Sequence, residues 1–414
     1  MAVDVVVTGV GAVTPLGATV ADTWAAMVNG RSGIGVLDQP WAAGLSVRIA
    51  GQAAVDPAAI LGRPLARRLN RVQAMSLIAT REAMADAGLA GRPGAPPDLV
   101  PPDRLAVCFG TGVSGLMTIE EQLNRYHDGG ERALSSYGVT STMASGPAAA
   151  IGVELGAEAG VHSMASACAT GAEALLWARS VLRDGRADVV IAGGADAAIC
   201  PLTLGSFARI RALSTRNDEP AAACRPWDRQ RDGFVLGEGA GVLVLERADH
   251  AAARGARPYA RMAGAAVTSD GHDLVSPRPD GLGMVRAVAR CLADAGLAPA
   301  DVDFVNAHST GTPVGDLVEA RSIRESVGVH PAVTANKSLT GHLLGASGAV
   351  ESIATVLSIR DGVLPPTLNL DDPDDGFDLD VVRDQPRKSE VAAALKLSFG
   401  FGGHNVALLF TTTD

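Results

Sequence analysis

The sequence contains few aromatic residues, few cysteines and no excess of basic residues. Aromatic side chains make up 4% of the 414 residues and apolar residues 47%, so the core must consist of small aliphatic side chains packed closely around glycines. The five cysteines are widely spaced without a CxxC pair, which argues against a disulfide framework or a zinc site. The net charge of −10 argues against a nucleic-acid-binding protein, which needs a basic surface to neutralise phosphates.

Long apolar segments are also missing. No stretch approaches the roughly 20 apolar residues of a membrane span. The N-terminal sequence MAVDVVVTGVGAVTPLG has an Asp among its valines and no basic lead, unlike a signal peptide. We therefore expect a cytoplasmic protein that neither spans a membrane nor binds nucleic acid. The length indicates one large domain or two fused domains.

Three pairs of similar segments occur in the same order along the chain. They are ADAGLA at 85–90 and 293–298, the apolar runs at 104–112 and 302–311, and GAEALLWARSVLRDG and GAVESIATVLSIRDG at 171–185 and 348–362. Three ordered matches indicate a gene duplication. We predict halves at residues 1–255 and 256–414, joined near ARGARPYA (252–259).

The apolar pattern predicts an α/β fold in which strands alternate with helices. VVVTGVG opens the first half and ARMAGAAV (260–267) opens the second, while 187–199 and 238–246 are typical of buried strands. Alternating strands and helices favour largely parallel sheets covered on both faces. Two such halves face to face would form stacked layers. The additional residues near 113–147 are predicted to form a cap or an interface.

Cys168 and two histidines are the candidate catalytic residues. Cys168 lies between small residues and the start of a predicted helix, where the helix dipole favours a thiolate and lowers the pKa of the thiol. His308 follows a predicted strand, where sites in α/β sheets form. His342 precedes the helix that duplicates the Cys168 helix, so the two helix starts could face one another across one site. For each residue alone, a structural role is the more common alternative.

The sequence as a whole resembles the beta-ketoacyl-acyl-carrier-protein synthases, and most of all the actinobacterial synthase II branch, which includes type II polyketide ketosynthases. The resemblance covers nearly the whole chain and rests on VVVTGVGAVTPLG, SACATGAEA, ALSTRNDEP, RPWDRQRDGFVLGEGAGVLVLE, NAHSTGTPVGD, NKSLTGHLLGASGAVES, PPTLNLDDPDD and LSFGFGGHNVAL. It implies a dimeric, thiolase-like five-layer αβαβα sandwich of two duplicated halves.

The resemblance also implies a reaction. Cys168 would hold an acyl group as a thioester, and His308 and His342 would stabilise the enolate formed when malonyl-acyl carrier protein loses carbon dioxide. The product would be a 3-oxoacyl-acyl carrier protein of fatty acid or polyketide biosynthesis. Lys337 and Glu351 match a supporting pair that orients the histidines.

Further site residues are implied in the same way. The backbone N–H groups of Cys168 and Phe401 would form the oxyanion hole, and Phe401 would gate the acyl site. The loop contains Phe399, Gly400, Gly402 and Gly403, whose glycines would permit it to swing; an ordinary tight turn is the alternative. For Asp316 and Glu319, a helix-capping or surface role is at least as plausible as a catalytic one.

The expected partner is an acidic acyl carrier protein, whose phosphopantetheine carries the substrates. Four arginines match positions that meet the carrier: Arg67, Arg68, Arg71 and Arg211. A solvated basic face is the alternative for them. No metal and no further cofactor is expected. The assembly would be a homodimer, or a heterodimer with a chain-length-factor homologue.

Three departures from the family pattern affect the loops. Leu397, preceded by Lys396, stands where Asn is usual before SFGFGG; the histidine motif is HST; and Asp273, beside His272, stands where a histidine is common. GTGVSG (110–115) fits a dinucleotide-binding motif but lacks the acidic strand end that such a site needs.

Three other functions fit the sequence less well. A chain-length-factor-like, non-condensing partner subunit shares the expected fold, but such subunits typically lack the cysteine. A thiolase would have a second cysteine near the C-terminus, and none follows Cys291. A serine hydrolase would have a GxSxG nucleophile motif, which is missing.

Overall fold

The computed structural model describes residues 3–91, 97–375 and 377–413. The strands are β1 (Val5–Val13), β2 (Gly35–Val36), β3 (Ile49–Ala50), β4 (Leu105–Gly110), β5 (Gly160–Met164), β6 (Val189–Asp196), β7 (Gly239–Arg247), β8 (Ala260–Ser269), β9 (Phe304–Asn306), β10 (Ala332–Thr334), β11 (Val363–Leu364), β12 (Asp380–Val381), β13 (Arg387–Lys388), β14 (Ala393–Gly400) and β15 (His404–Thr411).

The α-helices are α1 (Val20–Val28), α2 (Pro57–Leu61), α3 (Arg63–Ala66), α4 (Arg71–Asp86), α5 (Leu116–Gly129), α6 (Gly138–Thr142), α7 (Gly146–Leu155), α8 (Thr170–Arg183), α9 (Pro201–Arg209), α10 (Ala248–Ala253), α11 (Leu282–Ala295), α12 (Pro313–Val327), α13 (Lys337–Thr340) and α14 (Ser347–Asp361). Short 3-10 turns lie at Pro40–Gly44, Pro102–Arg104, Glu131–Ala133, Ala167–Ala169, Pro220–Ala222, Pro299–Asp301 and Leu344–Ala346.

The two halves of the chain form sheet units with the same strand order. The strand order is β5-β4-β6-β7-β1 in the first half and β10-β9-β14-β15-β8 in the second, with β12 added beside β10. In both units the strand beside the opening strand, β7 or β15, is antiparallel to both of its neighbours within the unit, and the remaining pairs are parallel. A short pairing of β1 with β8 joins the two units. This matching topology agrees with a duplication; the domain boundary at 255/256 stays a prediction.

The prediction of largely parallel sheets is wrong for two strands. β7 runs antiparallel to β6 and β1, and β15 runs antiparallel to β14 and β8. Both strands are buried on both faces, as parallel strands are. An apolar run indicates that a strand is buried but not in which direction it runs. The sequence pattern therefore could not distinguish parallel from antiparallel strands.

Helices cover both sheets and also separate them. Alternate residues of β6 show this arrangement, since Val189 and Ile191 pack towards α4 and α7, whereas Val190 and Ala192 pack towards α8 and α14. On the second sheet, α11 and α12 cover the outer face, while α8 and α14 again pack on the inner face. The result is the expected five-layer αβαβα sandwich, with α8 and α14 in the central layer.

The segment predicted as a cap or an interface forms α5, a 3-10 turn and α6. It exposes several large apolar side chains, namely Ile119, Leu123, Tyr126, Leu134, Tyr137, Val139 and Met143. Within the described ranges, no helix is both long and apolar enough to cross a lipid bilayer.

Candidate active site

The two duplicated helices, α8 and α14, cross where they begin. A side chain at Gly171 would meet the backbone N of Ala349 at 2.8 Å, and one at Gly348 would meet the backbone N of Ala172 at 2.5 Å. Only glycine permits two helix backbones to approach this closely. The predicted juxtaposition of the two helix starts is therefore confirmed.

Each helix start follows the same strained turn. Ala167 and Leu344, the first residues of the two 3-10 turns, both have φ of 50°, which is uncommon for a residue with a side chain. Cys168 is the second residue of the first turn, and Gly345 is its counterpart in the second. Such strain is often found at functional sites.

Cys168, His308 and His342 lie together in one cavity. One ligand atom from each residue lies within 4.8 Å of those of the other two, and the two imidazole rings are 5.4 Å apart between centroids. The cavity has a volume of about 360 Å³, and its lining is mostly apolar. The same three atoms are close enough to bind one thiophilic metal ion, so the expected absence of a metal stays a prediction.

Lys337 and Glu351 form a buried ion pair behind the histidines. The Lys337 Nζ lies 2.6 Å from the Glu351 Oε1 and donates a second hydrogen bond of 2.6 Å to the backbone carbonyl of His308. Both side chains are almost fully buried. Lys337 therefore connects the α14 carboxylate to the segment that holds His308.

The histidines are neutral at ordinary pH. Burial lowers the pKa of His308 and of His342 well below the usual value, and the ammonium groups of Lys337 and Lys396 lower both further. The Nδ1 of His342 lies 3.0 Å from the Ser347 Oγ, and a hydroxyl proton donated there leaves the ring hydrogen on Nε2. A neutral imidazole with this tautomer can donate a hydrogen bond into the cavity.

The Cys168 thiol differs from the sequence expectation. Burial raises its pKa to about 11, although the Lys337 ammonium and the backbone N–H of Phe401 act in the opposite direction. The prediction of a lowered pKa is wrong for the free protein, because desolvation outweighs the effect of the helix start.

The glycine-rich loop closes the cavity next to the thiol. A side chain at Gly400 would meet the backbone N of Cys168 at 3.2 Å, so this strand end lies against Cys168. The next turn contains Gly402 and Gly403, whose φ angles of 84° and 77° favour glycine. The Phe401 ring lies 6.4 Å from that of Phe207, between centroids.

Two family models match the chain along most of its length. Residues 2–251 match the model "Beta-ketoacyl synthase, N-terminal domain", and residues 259–371 match "Beta-ketoacyl synthase, C-terminal domain". The chain belongs to the beta-ketoacyl synthase family.

Curated relatives and solved structures agree with this assignment. The synthase is 42% identical to "3-oxoacyl-[acyl-carrier-protein] synthase 2" of Synechocystis sp., over 98% of this chain and 97% of the relative. It is 46% identical to the protein of the same name from Mycobacterium tuberculosis, over 98% and 96%.

Among solved structures, a beta-ketoacyl synthase from Burkholderia phymatum has a TM-score of 0.92 at 32% identity, with both chains fully covered. A chain of a complex between a type II polyketide synthase acyl-carrier protein and its ketosynthase, bound to the hexaketide, gives the same values.

Asp316 and Glu319 of this beta-ketoacyl synthase are buried, so a surface role is wrong for both. Glu319 accepts hydrogen bonds from the backbone N–H groups of His308 and Ser309 and from the Ser309 hydroxyl, at 2.6 to 2.7 Å. Asp316, in the first turn of α12, accepts from the backbone N–H groups of Thr310 and Gly311. The two carboxylates fix the backbone that follows His308.

Sequence reasoning did not identify Asp196, which ends β6. Its buried carboxylate accepts hydrogen bonds from the Thr111 hydroxyl and from the backbone N–H groups of Gly112, Val113 and Gly345. Burial raises its pKa to about 6. The bonds join the GTGVSG segment to the turn before α14. An acidic residue at the end of a buried strand was the available signal.

The four arginines predicted to contact the carrier protein divide into two groups. Arg67, Arg68 and Arg211 are exposed, and Arg211 also lines the mouth of the cavity. Arg71 instead contacts the buried carboxylate of Glu238, with its Nε 2.9 Å from Oε2. The guanidinium of Arg71 is thus held within the fold.

The departures from the family pattern have local structural roles. Leu397 is buried in the outer apolar cluster beneath α11 and α12. Ser309, the middle residue of HST, adds its hydroxyl to the contacts of Glu319. The exposed Asp273 accepts hydrogen bonds from the backbone N–H groups of Val275 and Ser276, which shapes the loop at the cavity mouth.

Proposed function

We propose that the protein condenses an acyl group carried on Cys168 with malonyl-acyl carrier protein, with loss of carbon dioxide, to give 3-oxoacyl-acyl carrier protein. The observation that carries the proposal is one cavity in which a cysteine faces two neutral, buried histidines. The family membership and the names of the curated relatives support it.

In the first half-reaction, the Cys168 sulfur attacks the carbonyl carbon of the acyl thioester. The bond to the carrier's phosphopantetheine sulfur breaks, and that sulfur leaves with the proton of the Cys168 thiol. The backbone N–H groups of Cys168 and Phe401 both interact with the thiol. They are therefore close enough to donate to the oxyanion of the tetrahedral intermediate.

In the second half-reaction, the bond between the malonyl carboxylate and C2 breaks, and carbon dioxide leaves. The electron pair forms an enolate, whose oxygen accepts hydrogen bonds from His308 and His342. C2 then attacks the acyl carbon and displaces the Cys168 sulfur. Phosphopantetheine enters only as the arm of the substrate, and no step requires a metal.

A dimer and an acyl carrier protein are the proposed partners. The exposed apolar side chains of α5, among them Leu123 and Tyr126, and the edge strand β5 provide a surface for a second subunit. A related complex contains a ketosynthase with its acyl-carrier protein, and another relative is "The ishigamide ketosynthase/chain length factor". Either a homodimer or such a heterodimer fits, and the cytoplasmic location stays a prediction.

The test is a condensation assay with the purified chain. We expect acyl-acyl carrier protein and malonyl-acyl carrier protein to yield 3-oxoacyl-acyl carrier protein, detected by intact-protein mass spectrometry. A chain that forms no product, but stimulates a separate ketosynthase, would instead be a chain-length-factor-like subunit. Formation of free fatty acid without condensation would indicate a hydrolase.

A further inference from the structure

Two lysines contact one buried carboxylate at the active site. The sequence has only three lysines against 32 arginines, yet two of the three lie here, fully buried. The Lys337 Nζ is 2.6 Å from the Glu351 Oε1, and the Lys396 Nζ is 2.8 Å from the Glu351 Oε2. In a chain that otherwise uses arginine, this placement indicates that a compact ammonium is needed.

Side chains of β14 alternate between the two faces of the sheet, and this alternation places Lys396 beside Glu351. Leu395 and Leu397 pack outward beneath α11 and α12, whereas Ala394 packs into the inner layer. Lys396 shares the inward direction, because alternate side chains of a strand share a face. Its Nζ also donates to the backbone carbonyl of Leu397.

The contacts form a continuous chain that ends at a histidine. Lys396 forms an ion pair with one oxygen of Glu351. Lys337 donates hydrogen bonds to the other oxygen and to the backbone carbonyl of His308. Removing the first member leaves the Glu351 carboxylate with a single partner. The orientation of His308 then depends on a looser pair.

The same lysine balances the buried charge. Glu319 accepts three hydrogen bonds from donors at His308 and Ser309. These bonds favour the ionised carboxylate, and they oppose the burial that raises its pKa. Glu319 and Glu351 therefore require two cations, and Lys337 alone supplies one. Without Lys396, an uncompensated negative charge would lie beside the position where the enolate forms.

The geometry points to Lys396 as a positioning residue for the decarboxylation step, where it holds Glu351 and supplies the second buried cation. This inference rests on the proposed function. Because Lys396 acts through Glu351 and through charge, its loss affects the enolate-forming half-reaction more than acyl transfer.

The role has a pH signature. Burial lowers the pKa of Lys396 to about 8, and the nearby Lys337 ammonium lowers it further. The carboxylates of Glu351 and Glu319 act in the opposite direction and raise the pKa. The groups that interact with it are Glu351 from α14, Lys337 from α13, Glu319 from α12, and the two histidines. Because the cation is the functional form, activity is present below pH 8 and is lost as the pH rises through that value.

The experiment measures carbon dioxide release from malonyl-acyl carrier protein in a Cys168→Ala background, which removes the titration of the thiol. With Lys396 present, we expect the rate to fall above about pH 8. Lys396→Met should lower the rate about tenfold at pH 7 and remove this fall. Lys396→Arg keeps the charge but not the compact ammonium, so it should restore only part of the rate, and that part should persist above pH 8. Lys388→Met, at an exposed position, is the control.

The outcomes separate this inference from the proposed function. If the background itself releases no carbon dioxide, the proposed second half-reaction is wrong. If Lys396→Met keeps the background rate and pH profile, the positioning role is wrong. If it instead reduces acylation of the Cys168-containing enzyme as strongly as decarboxylation, with a lower melting temperature, Lys396 has only a structural role.

A direct titration covers variants that do not fold. With [ε-13C]lysine labelling, the protein has only three lysine side-chain signals, assigned by the Met variants. We expect the Lys396 signal to titrate near pH 8. Lys396 in its neutral form at pH 7 would contradict the proposed cation.

Discussion

The reactivity of Cys168 is governed by burial. Burial raises the pKa of its thiol to about 11. At pH values below this pKa, the thiolate fraction should therefore rise about tenfold for each unit by which the pH is increased. We expect the rate of Cys168 alkylation by iodoacetamide, followed by peptide mass spectrometry, to rise continuously from pH 7 to pH 10. A plateau reached below pH 8 would show a preformed thiolate instead.

The two histidines should act after acyl transfer. His308→Ala and His342→Ala are expected to acquire an acyl group from acyl-acyl carrier protein, because the enolate oxygen develops only in the second half-reaction. Carbon dioxide release from malonyl-acyl carrier protein should fall by roughly a hundredfold to a thousandfold, as is typical when an oxyanion donor is removed. A variant that decarboxylates at the wild-type rate would exclude that histidine from the proposed role.

The positions of individual site residues were predictable where those residues lie in a sequence motif. Cys168, His308, His342, Lys337 and Glu351 all come together in the fold. The direction of the Cys168 pKa shift was not predictable, since desolvation depends on all the layers around the thiol. The ion pair of Lys396 was missed for the same reason, because a strand residue reveals its partner only when the facing helix is in place.

At the scale of elements, the crossing of α8 and α14 should be intolerant of any side chain. In Gly348→Ala the new Cβ would lie 2.5 Å from the backbone N of Ala172, and overpacking of this kind costs about 1–3 kcal/mol. We expect a lower melting temperature by differential scanning fluorimetry, together with reduced condensation.

Gly205→Ala is the matched control for this prediction. Gly205 also lies in a helix, α9, but a Cβ added there meets nothing within 4 Å. Replacing it should leave the melting temperature unchanged or raise it, since alanine favours helices. Equal effects of the two substitutions would show that the crossing is not the constraint.

Elements were predicted from their apolar patterns, with clear limits. β4 and β6 lie within the segments predicted as strands, whereas β7 and β8 extend one and two residues past theirs. The internal repeat indicated the pairing of α8 with α14. The directions of β7 and β15 required the long-range pairing itself. The strained turns at Ala167 and Leu344 are likewise set by helix packing and not by local propensity.

At the scale of the whole molecule, charge should guide the carrier protein. The chain has a net charge of −10, so an acidic carrier needs a local basic surface. We expect a triple reversal, Arg67→Glu, Arg68→Glu and Arg211→Glu, to weaken carrier binding strongly, mainly through the association rate. Each single reversal should have a modest effect, because exposed pairs contribute about 0–1 kcal/mol.

The difference in carrier binding between the triple reversal and the wild type should diminish with added salt, because salt screens surface charges. The triple reversal should leave the turnover of small N-acetylcysteamine thioesters unchanged. The control for net charge is the triple reversal Arg257→Glu, Arg286→Glu and Arg290→Glu, at three other exposed positions. Arg71→Glu should instead destabilise the protein through Glu238. Equal loss with carrier-bound and small thioesters would show that the arginines hold the fold.

The central claim is that Cys168 alone carries the acyl group. The other four cysteines, Cys108, Cys200, Cys224 and Cys291, are buried. The most direct measurement is peptide mass spectrometry after incubation with acyl-acyl carrier protein. We predict one acyl adduct, on the peptide that contains Cys168, and neither adduct nor condensation in Cys168→Ala. An adduct on another cysteine, or undiminished condensation by that variant, would contradict the account.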